Sequence, residues 1–318
     1  MPLRSLMLLA ALVVSAPLVA GYFGWLHPAL DSFSHFRLHL GVLLALVGVA
    51  MLLCQRWLKG LLALLLAAGS VAGTYGRWEF PARAEAGQTN GPTYRLLQLN
   101  VHPRNRTPEA VIALIGRISP DIVVLQETSG LLGKQPEWLD NAFPHSFVCG
   151  SPRPHIAIFS RHPLEPTPRP ACFQSALATA TVNLDGRFVG LGSIHLAWPW
   201  PRRQAAQIEA MRPNLATIGE TAILAGDMNA APWSHAARQV SAHAGMTRME
   251  NIGGTWIFRV WPRQLARFGL PIDHVMSKGG VVVHDVRRLE SVGSDHLPLL
   301  IEFSLSEPDR QHPSMGRI

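Results

Sequence analysis

The fold class that the sequence predicts is α/β: a two-layer sheet sandwich flanked by helices and preceded by three transmembrane helices. Three observations carry that expectation. The first 76 residues are almost uninterruptedly apolar, strand patterns outnumber helix patterns after residue 94, and several apolar strands end in a polar residue. Charge divides the chain the same way. Of 28 Lys+Arg and 21 Asp+Glu, only Arg4, Arg37, Arg56, Lys59 and Asp31 precede residue 77, which leaves 24 against 20 beyond it. An excess of four positive charges suits an anionic substrate or anionic lipid, but it lacks the basic stripe of a dedicated nucleic-acid binder.

Residues 5–26 carry no charge, end in the interface-favouring Tyr22 and Trp25, and are long enough to cross a bilayer. Residues 38–54 and 61–75 are shorter apolar runs separated by Gln55-Arg56-Trp57-Leu58-Lys59, a pattern expected of a helical hairpin with a basic turn. Gly69 and Gly73, one turn apart, offer a small-residue face for close helix approach. A cleaved signal peptide is the competing reading of the first run, since Arg4 precedes it and small residues lie near Ala16 and Ala20. The other two runs would anchor the chain regardless. Buried core helices are a poorer reading, because no polar face recurs at helical period. Positive charges tie in number across the two sides. The density of Arg56 and Lys59 in one short turn favours a multi-pass inner-membrane protein whose C-terminal part is periplasmic or extracellular.

Residues 1–76 are thus the anchor, 77–93 a Pro/Gly/Asn-containing linker, 94–305 the catalytic domain and 306–318 a tail. Within the domain, 94–101 reads as a strand. Thr107 and Pro108 then open a helix whose apolar face is Val111, Ile112, Leu114, Ile115 and Ile118, and 121–126 returns as a strand. Further strands are expected at 156–160, 176–182, 188–195, 222–227, 272–277, 281–283 and 299–303, with helices at 202–218 and 234–244. Cys149 and Cys172 show no metal-site spacing; in an oxidising compartment they could pair, and two reduced, partly buried thiols are the equal alternative.

The residues that carry chemistry are polar groups at or near strand ends: Asn100, Glu127, His195, Asp227, Asn229, Asp273, Asp295 and His296. A single carboxylate in such a place is most often a turn former or cap. Several together are costly to bury unless a cation or anionic ligand neutralises them. Glu127 and Asp295 offer oxygens suited to Mg2+ or Mn2+. In the Asp227-x-Asn229 pair alternate residues share a face, so the carboxylate can position a water while the amide meets a phosphate oxygen. His195 and His296 can donate to phosphoryl oxygens or exchange protons, and Asp273 can orient one of them.

The segments RLLQLNV, DIVVLQE, GSIHL, LAGDMNAAP, PIDHV and GSDHLPL follow one another in the order and spacing of the endonuclease/exonuclease/phosphatase superfamily, which this sequence resembles over about two thirds of its length. The resemblance implies a four-layer α/β/β/α sandwich and metal-assisted attack of water on phosphorus. It also implies Glu127 and Asn100, helped by Asp295, at the metal, Asp227 and Asn229 as nucleophile-orienting and phosphate-contacting residues, and His195 on the phosphate. Asp273 falls on the acidic position of the IDH segment, and His296 with Asp295 forms the closing dyad. In IAIFSRHPL, His155 stands where a glycine is usual, and no tyrosine of the apurinic-endonuclease type is present, so abasic-site recognition is not implied.

Three functions compete on these observations. A membrane-tethered hydrolase of a phosphodiester or phosphomonoester, acting on lipid or small molecules rather than nucleic acid, leads. A tethered nuclease is the alternative, and a binding protein with a dead site is third, because every polar position the chemistry requires is present. No obligate protein partner is implied; the bilayer and a phosphate ester are the expected partners. Arg202, Arg203 and Arg212 read as a solvated helix face. Trp256, Trp261, Arg259, Arg263 and Arg267 read as a substrate-facing loop or plain packing, and Ala197-Trp198-Pro199-Trp200-Pro201 as a rim or a stiff loop.

Overall fold

A computed structural model describes residues 3–75, 91–133, 136–150, 155–258, 261, 262, 265 and 268–306. Most of the expected linker, the tail beyond 306, and Arg259, Arg263 and Arg267 lie outside the described residues.

The apolar front end folds as helices α1 (Leu3–Ala20), α2 (Pro28–Ser34), α3 (Arg37–Leu53) and α4 (Trp57–Tyr75), with a single 3₁₀ turn at Gly21–Phe23. Two helices are long and apolar enough to cross a membrane, over Ser5–Phe23 and Trp57–Thr74, and the pair α2–α3, bent by 67°, makes up to three. The short α2 was not expected. His27 caps it, its imidazole accepting from the Ala29 amide, and Pro28 opens it with a fixed φ. Helices α3 and α4 run antiparallel. Their closest approach is not at Gly69 or Gly73, each of which has nothing within 4 Å of a would-be side chain. It lies at Gly48 and Gly60, where a Cβ on Gly60 would stand 2.9 Å from the Gly48 carbonyl oxygen. The sequence pattern picked the wrong pair because small residues permit contact without directing it.

The remaining chain forms two mixed six-stranded sheets. The first contains β1 (Tyr94–Asn100), β2 (Ile122–Gln126), β3 (His145–Cys149), β4 (Ile156–Ser160), β11 (Val281–Arg288) and β12 (Leu299–Leu305), in the order β11-β12-β1-β2-β4-β3. The second contains β5 (Ala171–Phe173), β6 (Leu177–Leu184), β7 (Arg187–His195), β8 (Ala222–Asp227), β9 (Thr247–Arg248) and β10 (Asp273–Lys278), in the order β5-β6-β7-β8-β10-β9. β1–β2 and β7–β8 are parallel pairs with crossover helices between them. These are α5 (Pro108–Ile118) and α8 (Gln204–Ala216). The strands β3, β5 and β9, with α6 (Ser129–Leu132) and α7 (Pro136–Ala142), were not anticipated. They are short edge or connecting pieces with little periodic signal.

Strand alternation explains the cores. Leu96, Val124, Ile158, Leu191, Ile223, Val275 and Ile301 face inward between the sheets. On the outer side of the first sheet, Leu97, Val123 and Phe159 meet Val111, Leu114 and Ile115 of α5. On that of the second, Ile194 and Leu224 meet Ile208 and Met211 of α8 and Val240 of α9 (His235–Ala244). Cys149 and Cys172 are joined as a disulfide that ties the edge strands β3 and β5, one from each sheet. Arg202, Arg203 and Arg212 are exposed, as a solvated face requires.

Candidate active site

The site follows from that inward-facing alternation. Leu96, Gln98 and Asn100 share one face of β1, Val124 and Gln126 one face of β2, Leu191, Ser193 and His195 one face of β7, and Ile223, Ala225 and Asp227 one face of β8. Each strand is apolar along the shared core and turns polar at the end nearest the rim. Register aligns those ends. Asn100 lies opposite Gln126, His195 opposite Asp227, and Asp227 opposite Asp273.

Asp227 is the hub. Its Oδ2 accepts from Asn100 Nδ2 at 3.0 Å, and Oδ1 accepts from the Asn229 amide at 2.8 Å. His296 Nε2 and His195 Nε2 stand 3.6 and 3.7 Å from Oδ2. Asn100 Nδ2 also donates to Glu127 Oε1 at 3.1 Å, and His195 Nε2 lies 3.4 Å from the same oxygen. On the other side of His296, Nδ1 donates to Asp273 Oδ2 at 2.8 Å. The outcome is a buried Asp273–His296–Asp227 chain. Asp273 orients His296, while the neighbouring His274 donates from Nε2 to the Ala230 carbonyl, 2.7 Å away.

Electrostatics divides the labour between the two aspartates. Burial would push His296 down, but the carboxylates of Asp273 and Asp227 outweigh it and hold the imidazole at about 10, so it is a cation at neutral pH. Burial also opposes charge on Asp273. The His296 cation and hydrogen bonds from His296, Thr255 and Gln98 prevail and keep that carboxyl below its ordinary value. Asp227 rises to about 6, because burial and the negative Asp273 outweigh the attraction of His296 and His195. Asp273 and His296 therefore form the settled ion pair, and Asp227 is a carboxylate whose proton affinity lies near working pH.

Two predicted site residues adopt left-handed backbone, Glu127 at φ 54° and Asn229 at φ 46°. Non-glycine residues there cost about 1–3 kcal/mol unless their surroundings impose it. At Asn229 the surroundings are visible: its Nδ2 donates to Leu196 O at 2.8 Å, and its own carbonyl accepts from Gln204 Nε2 at 3.0 Å. Gly226, at φ +152°, packs so closely on β7 that a Cβ would lie 2.0 Å from the Ile194 carbonyl oxygen.

Asp295 precedes His296 on the GSDH turn. Its Oδ2 accepts from Trp256 Nε1 at 3.2 Å, and its buried Oδ1 has no hydrogen-bond partner among the described residues. A buried carboxylate oxygen without a hydrogen-bond partner fits a cation ligand. A second grouping is Asp227, Asp273 and His296, whose ligand atoms lie within 4.8 Å of one another and could hold a metal ion. Both nitrogens of His296 already face carboxylates there.

Several residues at the site escaped the sequence reading. Gln98 Nε2 donates to Asp273 Oδ1 and to Gln126 Oε1, both at 2.9 Å, and Gln126 Nε2 donates to Ser193 Oγ at 2.9 Å. This fully buried ladder fixes the two sheets behind the site. Amides at inward positions of greasy strands were the available signal. Ser294 Oγ donates to Asn100 O at 2.6 Å and accepts from the His296 amide, holding the GSDH turn on β1.

The anchor also reaches the site, which no motif suggested. Asp31 Oδ1 and Oδ2 accept from the His235 and Ala236 amides, at 2.7 and 2.9 Å, at the start of α9. Trp233 Nε1 donates to Ser34 O at 2.6 Å, and His35 Nε2 lies 3.2 Å from the Asn229 carbonyl. Helix α2 thus clamps the turn between Asp227 and α9.

Sheets and rim together define an α/β protein with a site of acidic, amide and imidazole groups suited to phosphoester chemistry. The chain belongs to the endonuclease/exonuclease/phosphatase family, whose model matches residues 89–296 and whose members are hydrolases of phosphoester bonds. A UPF0294 protein of Yersinia pseudotuberculosis and another of Yersinia pestis are each 32% identical over 136 residues, 41% of this chain and 48% of theirs. The chain therefore matches about half the length of those curated relatives. Among solved structures it is similar to the human Nocturnin catalytic domain with bound sulfate, at TM-score 0.53 and 18% identity over 68% of this chain and 94% of that one. It is also similar to a Neisseria 3' phosphatase bound to product DNA hairpin, at TM-score 0.52 and 23% identity over 66% and 99%. An AP endonuclease from Archaeoglobus fulgidus gives TM-score 0.51 and 18% identity over 65% and 98%. Likeness at these identities concerns the fold.

Proposed function

We propose that this protein is a membrane-anchored, divalent-metal-dependent phosphoesterase that hydrolyses a phosphodiester or phosphomonoester. The observation that carries the reading is the convergence of Asn100, Glu127, His195, Asp227, Asp273 and His296, drawn from both sheets, on one rim. Glu127, Asn100 and Asp295 would hold magnesium or manganese. The bound ion would neutralise charge on the phosphate and polarise its oxygen. Asp227 orients a water for in-line attack and takes its proton, which its raised proton affinity favours. His296, held as a cation by Asp273, donates from Nε2 to the phosphoryl oxygen on which charge grows. His195 and the Asn229 amide complete the phosphate cradle once substrate displaces their present contacts.

The outer helices make the third and fourth layers of an α/β/β/α sandwich, and α3 alone (Arg37–Leu53) is read as the middle crossing, giving three spans while α2 stays on the catalytic domain. Three crossings place residues 1–4 and the catalytic domain on opposite faces of an inner membrane, and the Cys149–Cys172 disulfide fits a periplasmic or extracellular domain. A reporter fused after Ile318 that works only in the cytoplasm would refute that orientation. The catalytic reading is tested with full-length protein in detergent, given nucleic acid, lysophospholipid, sphingomyelin and inositol phosphate with magnesium and with EDTA. Hydrolysis should require metal and vanish in Asp227→Ala and His296→Ala without loss of fold; near-normal turnover in either variant contradicts the assignment.

A further inference from the structure

Helices α1, α3 and α4 bring the end of α1, the start of α3 and the end of α4 to one side, where α2 packs on the catalytic domain. At that junction a cavity of about 440 Å³ is bounded by Phe36 from the anchor, Trp198 and Trp200 from the loop after β7, and Leu270. Its inner end is lined by Asn229 and by Ile272, the residue before Asp273. A second cavity of about 250 Å³ lies across Phe36 and Leu270, with Trp256, Phe258 and Phe268 in its wall. Trp256 is the residue whose indole binds Asp295. Both cavities share Phe36, which leads into α3, and the first also reaches Asn229 beside Asp227. Phe36, Trp198, Trp200, Phe258, Trp261 and Phe268 are all exposed around them, together with Trp25 of the anchor. An aromatic collar beside apolar helices, with Arg202 at its edge, is the composition of a membrane interface, where aromatic rings meet hydrocarbon and a cation meets headgroup phosphate.

We propose that the cavity between Phe36, Trp198, Leu270 and Asn229 receives the hydrocarbon adjoining the phosphate of a membrane-resident lipid phosphate ester, the phosphate itself lying at Asp227 and His296. This assignment of substrate class rests on the phosphoesterase reading above. The anchor is then one wall of the binding site as well as a tether. Lipid enters from the bilayer side past Phe36 and leaves its tail among the aromatic residues.

The test uses full-length protein in mixed micelles and alkyl p-nitrophenyl phosphates with methyl, octyl and hexadecyl chains at constant micellar mole fraction. Hydrolysis breaks the bond from phosphorus to p-nitrophenolate and forms one to a water oxygen, whose protons remain with the two products. Each methylene taken into an apolar cavity is worth up to about fourfold, so the octyl-to-methyl ratio of kcat/KM should reach the order of 100-fold or more. Micelle partitioning contributes equally to wild type and variant. The ratio should therefore collapse in Leu270→Trp, which fills the cavity, and fall in Phe36→Ala, which removes a half-exposed wall without opening a core. A ratio that is flat in wild type, or unaltered in both variants, overturns the lipid pocket and leaves the phosphoesterase reading standing. Absence of metal-dependent hydrolysis of all three esters overturns that reading and this inference with it.

Discussion

Replacing Asp273 by asparagine tests the central chain of the site, because the change keeps shape and removes one acceptor. Both carboxylate oxygens are engaged by donors: Oδ2 by His296 Nδ1 at 2.8 Å and Oδ1 by Gln98 Nε2 at 2.9 Å. An amide offers one oxygen and one NH2, so one donor must face another donor in a buried setting. That mismatch costs about 1–3 kcal/mol, and loss of a buried ion-pair partner brings the total to roughly 3–5 kcal/mol. Chemistry changes as well. Without the Asp273 charge His296 loses the largest influence that offsets its burial, and its proton affinity falls from about 10, with Asp227 left as its carboxylate neighbour. The imidazole that meets the phosphoryl oxygen also loses the hydrogen bond that orients it, and kcat should drop by about 10²–10⁴ with KM less affected. The pH dependence has a definite sign. In metal-free wild type, the His296 contribution to stability is full below 6.5 and is lost as pH rises through about 10, and that alkaline loss should shrink in the variant. The assay is hydrolysis of bis(p-nitrophenyl) phosphate across pH, with unfolding followed in EDTA. An unchanged kcat with an unchanged pH profile would refute the role given to Asp273.

Two further outcomes concern the scaffold of the site. Gly226→Ala puts a methyl 2.0 Å from the Ile194 carbonyl oxygen, so β7 and β8 must separate; we expect several kcal/mol of destabilisation, read as a lowered unfolding temperature in detergent. Asp31→Ala leaves the His235 and Ala236 amides without their carboxylate, and should cost about 1–3 kcal/mol and speed hydrogen exchange at both amides. Unchanged exchange there would mean that α2 does not hold the start of α9.

Much of the fold was legible because it depends on periodicity. The inward series on β1, β2, β7 and β8 is an alternating pattern with a polar last member, which identifies both the core and the rim. Asn100, His195, Asp227, Asp273 and His296 were recognisable one by one as such endings, and their family order gave the rest. Gln98 and Gln126 were passed over because a buried amide carries the same composition signal as a surface one; only pairing across sheets shows that one binds Asp273 and the other Ser193. Gly48 and Gly60 lost to Gly69 and Gly73 for a related reason, since helix contacts depend on which faces meet. The disulfide was left open because two lone cysteines have no spacing rule, and their meeting depends on β3 and β5 facing each other from different sheets.

The part least visible in the sequence is the dependence of the site on the anchor, and it follows from main-chain hydrogen bonding. Asn229 holds a left-handed backbone conformation between Asp227 and α9, a turn whose own hydrogen bonds do not fully fix it. The Gln204 side chain supplies one outside support, and Asp31, Ser34 and His35 supply three more from the apolar end of the chain. None of the latter reads as catalytic, because an Asp, Ser or His between apolar helices looks in the sequence like a capping or turn residue. Their effect is to couple the position of the apolar helices to Asn229, whose amide holds Asp227. A site loop braced by a separate helix is held in its geometry, and here that helix, through Ser32, also lines the cavity that reaches Asn229.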